Sequence, residues 1–304
     1  MLSMDITHPS AEEFMDAKME DGKITGANIS MKLYDDWMKS ALGIDCEMDK
    51  EKNRLWKKII HNATTKAEPG VLFWDTILRE SPADCYSDYG FKTISTNPCG
   101  EIPLAAGDAC RLMSLNLYSY VDYPFTSDAK FNFDKFINHA KLSIKLMDNM
   151  IDLENEKIDR ILAKIDADPE DEDIKAVEKN LWLRVKRMNN FGRRSGIGFT
   201  ALGDMLAALG FKYGTSKATN FVAYVQKIMA TAVYIGSCDL VQVDGRPAFG
   251  CFDYELEKNN PFLNRLATSE YVNDKASELA IEFKNKWTNN LGRRNIALLT
   301  CAPA

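Results

Sequence analysis

Short apolar runs alternate with longer stretches of helical periodicity along the whole chain, and this alternation limits it to an α/β fold. "ANISMKLYDDWMKSAL" places Ile29, Met31 and Leu33 at every second position, then Trp37, Met38 and Leu42 on a helix for which Asp35 and Asp36 are the expected caps. "GVLFWDTILRE" opens on the continuous apolar run Val71–Trp74, the pattern of a strand covered on both faces. "RLMSLNLYSYV" reads as a strand with Met113, Leu115 and Leu117 on one side. Two long helices follow. In "FNFDKFINHAKLSIKLMDNMIDLE" the stripe is Phe136, Ala140, Ile144 and Met147, and "NFVAYVQKIMATAVYIGSCDLVQ" is apolar enough to be largely buried. "NIALLTC" predicts a further buried strand.

Two stretches invite a sharper reading than they support. "GRRSGIGFTALGDMLAALG" contains Gly196, Gly198 and Gly203, but the spacing is not G-x-G-x-x-G and no ribose-binding acid follows at the expected distance. It predicts a tight turn into a buried helix, with glycines that permit close packing. The acidic "KIDADPEDEDIKAVEKN" lies between helical patterns and reads as a solvated turn with a charged helix start, not a domain boundary. No repeat of fixed period is evident, and residues 1–304 are read as one domain.

A composition 45% hydrophobic supports a large core, and a net charge of −6 supplies no basic field for a nucleic-acid partner. The start, "MLSMDITHPSAEEFM", is not a secretory leader, and no segment is read as approaching the ~20 apolar residues of a membrane span, so a cytoplasmic protein without a membrane partner is expected. Seven cysteines, an odd number with no C-x-x-C pair, point to reduced thiols. The three histidines show no ligand-like spacing, so no metal site is expected.

"STNPCGEIPL" stands apart. Pro98 removes a backbone donor and biases Asn97 toward extended geometry, while Gly100 admits conformations closed to other residues, so Cys99 sits on a turn. Asn97 and Glu101, two residues to either side, can turn toward whatever the sulfur faces. Local chemistry leaves two readings open: a thiol, an amide and a carboxylate converging on one ligand, or an ordinary turn with a buried cysteine.

The longer string "TISTNPCGEIPLAAGDACRLMSLNLYSYV" resembles the active-site segment of the ribonucleotide reductase large subunit. The N-terminal "MLSMDITHPSAEEFMDAKMEDGKITGANISMKLYDDWMKSA", "GVLFWDTILRE", "GRRSGIGFTALGDMLAALG", "NPFLNRL" and the final "RRNIALLTCAPA" are similar to that family's segments and fall in family order, so the resemblance extends over essentially all of the chain.

The resemblance implies the central part of a ten-stranded α/β barrel with a cysteine on an inner finger loop, acting in the reduction of ribonucleotides, as diphosphates, to 2′-deoxyribonucleotides. Cys99 matches the cysteine that becomes a thiyl radical and abstracts the 3′ hydrogen, which implies shielding from solvent. Glu101 matches the base that takes the 3′-hydroxyl proton, and Asn97 the amide that hydrogen-bonds the ribose hydroxyls. Cys110, 11 residues after Cys99, matches a reducing cysteine. Asn97, Pro98, Cys99, Gly100, Glu101, Pro303 and Ala304 are the residues it places against the substrate, Ala304 standing where Thr or Ser is usual. Cys85 is expected to be a packing or surface thiol, and Cys46, Cys238, Cys251 and Cys301 to be structural.

The Asn-Pro-Cys-Gly-Glu form and the short spacing to Cys110 look like the adenosylcobalamin-dependent class II enzymes. A class I large subunit, which draws its radical from a separate metal-containing subunit, is the alternative. The family's N-terminal specificity region and last barrel strands have no counterpart in the sequence, so a central fragment is expected, inactive alone. Polypeptides supplying the missing parts and a thioredoxin- or glutaredoxin-type reductant are its implied partners. Uncovered strand edges, "GVLFW" and "NIALL" among them, predict poor solubility or association. Two other readings remain: a non-catalytic piece of the barrel, and a thiol hydrolase with Cys99 as nucleophile, which no nearby histidine supports.

Overall fold

The computed structural model describes residues 1–109 and 111–300. Its first third is parallel: β1 (Leu2–Asp5), α1 (Ala11–Asp16), β2 (Ile29–Leu33), α2 (Asp35–Leu42), α3 (Lys50–Lys66), β3 (Gly70–Phe73) and α4 (Trp74–Glu80) build a sheet in the order β1-β2-β3. Both faces of β2 are covered, since Ser30 is buried along with Ile29, Met31 and Leu33. The helix after it begins as expected, but its N-cap is Tyr34, with Asp35 and Asp36 in the first turn, where their charge favours the helix dipole.

β3 departs from expectation. Leu72 is buried, whereas Val71 is 37% and Phe73 50% exposed, and Trp74 already begins α4. β3 is the edge of its sheet, so only the inward face of the apolar run is covered here.

A 3-10 turn (Pro82–Tyr89) leads to the short hairpin of β4 (Ser95–Thr96) and β5 (Pro103–Leu104). Then come β6 (Leu112–Asn116), the hairpin of β7 (Val121–Asp122) and β8 (Lys130–Phe131), and two helices, α5 (Phe133–Ala167) and α6 (Glu172–Gly192), joined through the acidic turn, where Asp171 is the N-cap of α6. Phe136, Ala140, Ile144 and Met147 are fully buried, as their spacing on α5 requires. α6 ends at β9 (Gly196–Thr200), which pairs in parallel with β6.

The chain closes with α7 (Leu202–Ala208), α8 (Ser216–Gln242), α9 (Tyr254–Glu257), α10 (Pro261–Leu266) and α11 (Lys275–Thr288). α8 is long and apolar enough to cross a membrane by length and composition, contrary to expectation. In the fold it is a core helix packed between α5 and α11, with Ile228 through Cys238 buried. α11 is fixed at its start by a capping box between Asp274 and Ser277.

The expected tight turn at "GRRSGIG" contains a strand, β9, because the segment 296–300 runs beside it. Ser195 N donates to the Ala297 carbonyl at 3.0 Å and Thr300 N to the Ile197 carbonyl at 3.2 Å. The segment expected as strand "NIALL" is buried and bonded in this way, yet only Leu299 forms a ladder bridge, to Ile197. Close packing at the glycines holds at Gly198, where a Cβ would lie 2.9 Å from the Thr300 carbonyl oxygen. Gly203 meets nothing within 4 Å and has no such role.

Candidate active site

The β4–β5 hairpin presents residues 97–102 as a loop whose shape follows from its sequence. Gly100 N donates to the Asn97 carbonyl at 3.0 Å, closing a turn with Pro98 in its second position, and Gly100 takes φ +83°, open to glycine and strained for other residues. The side chain of Asn97 staples the rest. Its Oδ1 accepts from Ile102 N at 3.0 Å, and its Nδ2 donates to Glu101 Oε1 at 2.6 Å. The amide and carboxylate singled out by sequence are therefore joined directly, and among the described residues Glu101 Oε2 is left buried with no partner.

Cys99 is at the tip, and there the shielding expectation fails: its side chain is exposed, as is Pro98. Among the described residues no strand or helix covers the tip, because the hairpin is only two residue pairs long and pairs with neither parallel sheet. Cys110, Pro303 and Ala304 lie outside the described residues, as does Cys301.

On the inner side of the loop is a cavity of about 320 Å³. Gly100 through Pro103 form one wall, the end of α4 and Pro82 a second, Ala297 through Leu299 a third, and Tyr234 and Phe262 contribute aromatic surface. Arg194 and Ser195 also line it. Arg194 Nε donates to Asp108 Oδ2 at 2.6 Å in an ion pair whose side chains are each 3% exposed. Among the described residues its Nη2 has no partner, and neither has Ser195 Oγ. Arg111 donates to the Arg194 carbonyl at 3.0 Å and pairs with Glu154.

The sequence reading missed a device that holds this wall. "NNFGRRS" at 189–195 recurs as "NNLGRRN" at 289–295, and the two copies lead into the adjacent segments β9 and 296–300. Arg193 of the first copy and Arg294 of the second both bond Asp148 of α5, at 2.5 and 3.1 Å, and Arg246 joins them at 2.5 Å. Burial alone would raise the pKa of Asp148, but the Arg193 hydrogen bond and the charges of Arg193 and Arg294 outweigh it, holding the carboxyl below its ordinary value. Arg293 makes a fully buried pair with Glu257 at 2.5 Å, and Tyr86 (2.8 Å) and Trp287 (2.9 Å) donate to the same carboxylate. The duplicated heptad was the available signal, invisible to a search for a fixed period.

The remaining thiols divide by burial. Cys238 and Cys251 are buried, and that burial pushes each up to about 12. Cys85 is half-buried in the 3-10 turn and also raised, chiefly by burial, consistent with a packing thiol. Cys46 is exposed, so its expected structural role is corrected to that of a surface thiol.

A family model described as the barrel domain of ribonucleotide reductase matches residues 46–304. The vitamin B12-dependent ribonucleoside-diphosphate reductase of Mycobacterium tuberculosis (strain CDC 1551 / Oshkosh) is 24% identical over 282 residues, covering 88% of this chain and 36% of that protein. The protein of the same name from Thermoplasma acidophilum is 27% identical over 228 residues, 71% of this chain and 25% of that one. The chain thus spans between a quarter and about a third of these relatives. Among solved structures, the Actinobacillus ureae class Id ribonucleotide reductase alpha subunit superposes with a TM-score of 0.62 at 18% identity, covering 99% of this chain and 45% of that one. At that identity the superposition speaks to the fold.

Proposed function

Because the chain belongs to the ribonucleotide reductase barrel-domain family, we propose that it carries the radical loop of a reductase that converts ribonucleoside diphosphates to 2′-deoxyribonucleotides. The observation that carries this reading is the pairing of Asn97 with Glu101 at 2.6 Å on a loop with Cys99 at its tip and a cavity along its inner side. The thiol, amide and carboxylate of the proposed chemistry lie within five residues.

The roles follow from atom types. Cys99, as a thiyl radical, takes the 3′ hydrogen atom of the ribose. Glu101 takes the 3′-hydroxyl proton at Oε2, the oxygen that Asn97 leaves free, and a base fixed by a hydrogen bond loses no time to rotation. Asn97, neutral at every pH of interest, holds that orientation and the backbone of Ile102 together. The 2′-hydroxyl leaves as water, and two electrons come from a dithiol in which Cys110 is the proposed member. A thioredoxin- or glutaredoxin-type protein restores the dithiol. Pro98 and Gly100 shape the loop against the substrate, and Pro303 and Ala304 are proposed at its phosphate.

The relatives named vitamin B12-dependent bring in cobalamin as the proposed radical source. The loop fits such a group at its tip: Cys99 and Pro98 are exposed, so a large cofactor reaches the sulfur without disturbing Glu101 on the cavity side. When bound, adenosylcobalamin supplies the one-electron equivalent that removes the hydrogen atom from the thiol.

The test is formation of deoxynucleotide by the chain, combined with polypeptides supplying the remaining length of its relatives, adenosylcobalamin and a dithiol. Product from wild type and none from Cys99→Ser, which cannot form an equivalent radical, is expected. Turnover by the serine variant overturns the assignment. Product only on addition of a metal-containing radical subunit would favour the class I alternative.

A further inference from the structure

The first sheet meets the loop that carries Cys99 along a single cross-strand row. Asp5, Lys32 and Leu72 are register partners on β1, β2 and β3, so their side chains leave the same face. Lys32 Nζ donates to the Ile94 carbonyl at 2.7 Å, at the open end of the β4–β5 hairpin, where Ile94 N donates to the Leu104 carbonyl at 3.0 Å. Leu72 stands behind the other end: a Cβ on Gly100 would lie 3.7 Å from Leu72 Cδ2. The hairpin pairs with neither parallel sheet. Among the described residues, side-chain hydrogen bonds from the first sheet reach it twice, from Lys32 and from Ser3, whose Oγ is 3.1 Å from Ser95 Oγ.

The Lys32 head group is itself held in place. It lies 3.9 Å from the centroid of the Trp74 ring, a cation–π contact that sets it over the start of α4. Burial lowers its pKa, and the Asp5 carboxylate in the same row opposes that shift. A charged donor bonds a carbonyl more strongly than a neutral hydroxyl bonds another hydroxyl, so Lys32 is the stronger of the two tethers. We propose that Lys32 is a positioning residue for the radical loop, fixing the base of the hairpin to the sheet whose Leu72 backs the turn at Gly100. It acts through the hairpin and not on the reacting atoms. This rests on the reductase reading for the chemistry of the loop, and names a residue that reading does not use.

The test is native-state hydrogen exchange of the 304-residue chain, wild type against Lys32→Met and Lys32→Arg. Lys32 is half-buried, so methionine keeps its apolar stem while losing the charge and the donor, and arginine keeps both. The Ile94 and Asn97 amides close the hairpin, the latter donating to the Ile102 carbonyl at 3.2 Å. Both are expected to exchange about ten-fold faster in Lys32→Met and at the wild-type rate in Lys32→Arg. The Ile6 amide, which donates to the Lys32 main-chain carbonyl at 3.1 Å, reports on the sheet and should not change. In an assembly that turns over, Lys32→Met should lower kcat by about ten-fold or more at unchanged KM, and Lys32→Arg should restore it. Unchanged hairpin exchange in Lys32→Met, or equal acceleration at Ile6 and in the hairpin, makes Lys32 an ordinary strand residue and overturns the proposal. An unaltered kcat where hairpin exchange has quickened overturns it as well. The reductase reading survives each of these results; it fails separately, and takes this role with it, if the wild-type assembly forms no deoxynucleotide.

Discussion

Asn97 Nδ2 lies 2.6 Å from Glu101 Oε1, and this single contact decides which carboxylate oxygen is available to a ligand. Without it the Glu101 side chain would have several rotamers to choose from, and with it Oε2 is left buried and, among the described residues, without a partner.

Glu101→Gln keeps the hydrogen bond from Asn97 but cannot take a proton. In an assembly that turns over, kcat should fall by about two to four orders of magnitude, the usual contribution of a positioned base. Asn97→Ala should lower kcat as well, by releasing both the carboxylate and Ile102 N. An unchanged rate for Glu101→Gln removes that residue from the chemistry.

Thiol accessibility gives a direct check on the loop. Alkylation near about pH 8, followed by peptide mapping, should modify Cys46 and Cys99 first among the described thiols. Cys238 and Cys251, buried and each pushed up to about 12, should react only on unfolding. Labelling of Cys238 in the folded protein as fast as Cys99 would contradict this arrangement.

Asp148 is the most exposed to electrostatic test because three guanidinium groups depend on it. Asp148→Asn strands those charges and should cost about 3–5 kcal/mol in denaturant unfolding at neutral pH. The pH dependence has a definite sign. Since folding lowers this carboxyl below its ordinary value, its contribution is present in full above the ordinary carboxylate pKa and disappears as pH falls through the folded value. Acid destabilisation below about pH 4 should thus be steeper in wild type than in the asparagine variant. Parallel acid profiles would show that Asp148 titrates as it does in the unfolded chain.

Gly198 and Gly203 look alike in sequence and should behave oppositely. Gly198→Ala drives a Cβ to 2.9 Å from the Thr300 carbonyl oxygen, forcing apart β9 and the segment that walls the cavity, at about 1–3 kcal/mol. Gly203→Ala meets open space in α7 and should stabilise by about 0.5–1 kcal/mol, as alanine does in a helix. Equal effects in thermal melts would mean that the contact at Gly198 relaxes freely.

The sequence by itself determined what depends on neighbours a few residues away. The stripe of α5, the strand β2, the charged start of α6 and the turn around Cys99 all follow from period and from the fixed φ of Pro98 and the freedom of Gly100, and each is found in place. Tertiary structure decided the faces and the partners. Val71 and Phe73 read as buried, yet lie on the open face of an edge strand, because coverage belongs to the neighbouring element and not to the run of apolar residues. Likewise no local pattern brings Arg194 and Ser195 to the cavity of Glu101, or Arg193 and Arg294 to one carboxylate. Those meetings require β9 to lie between β6 and the segment 296–300, a pairing set by packing α5 and α8 between them in sequence, which short-range chain preference does not encode.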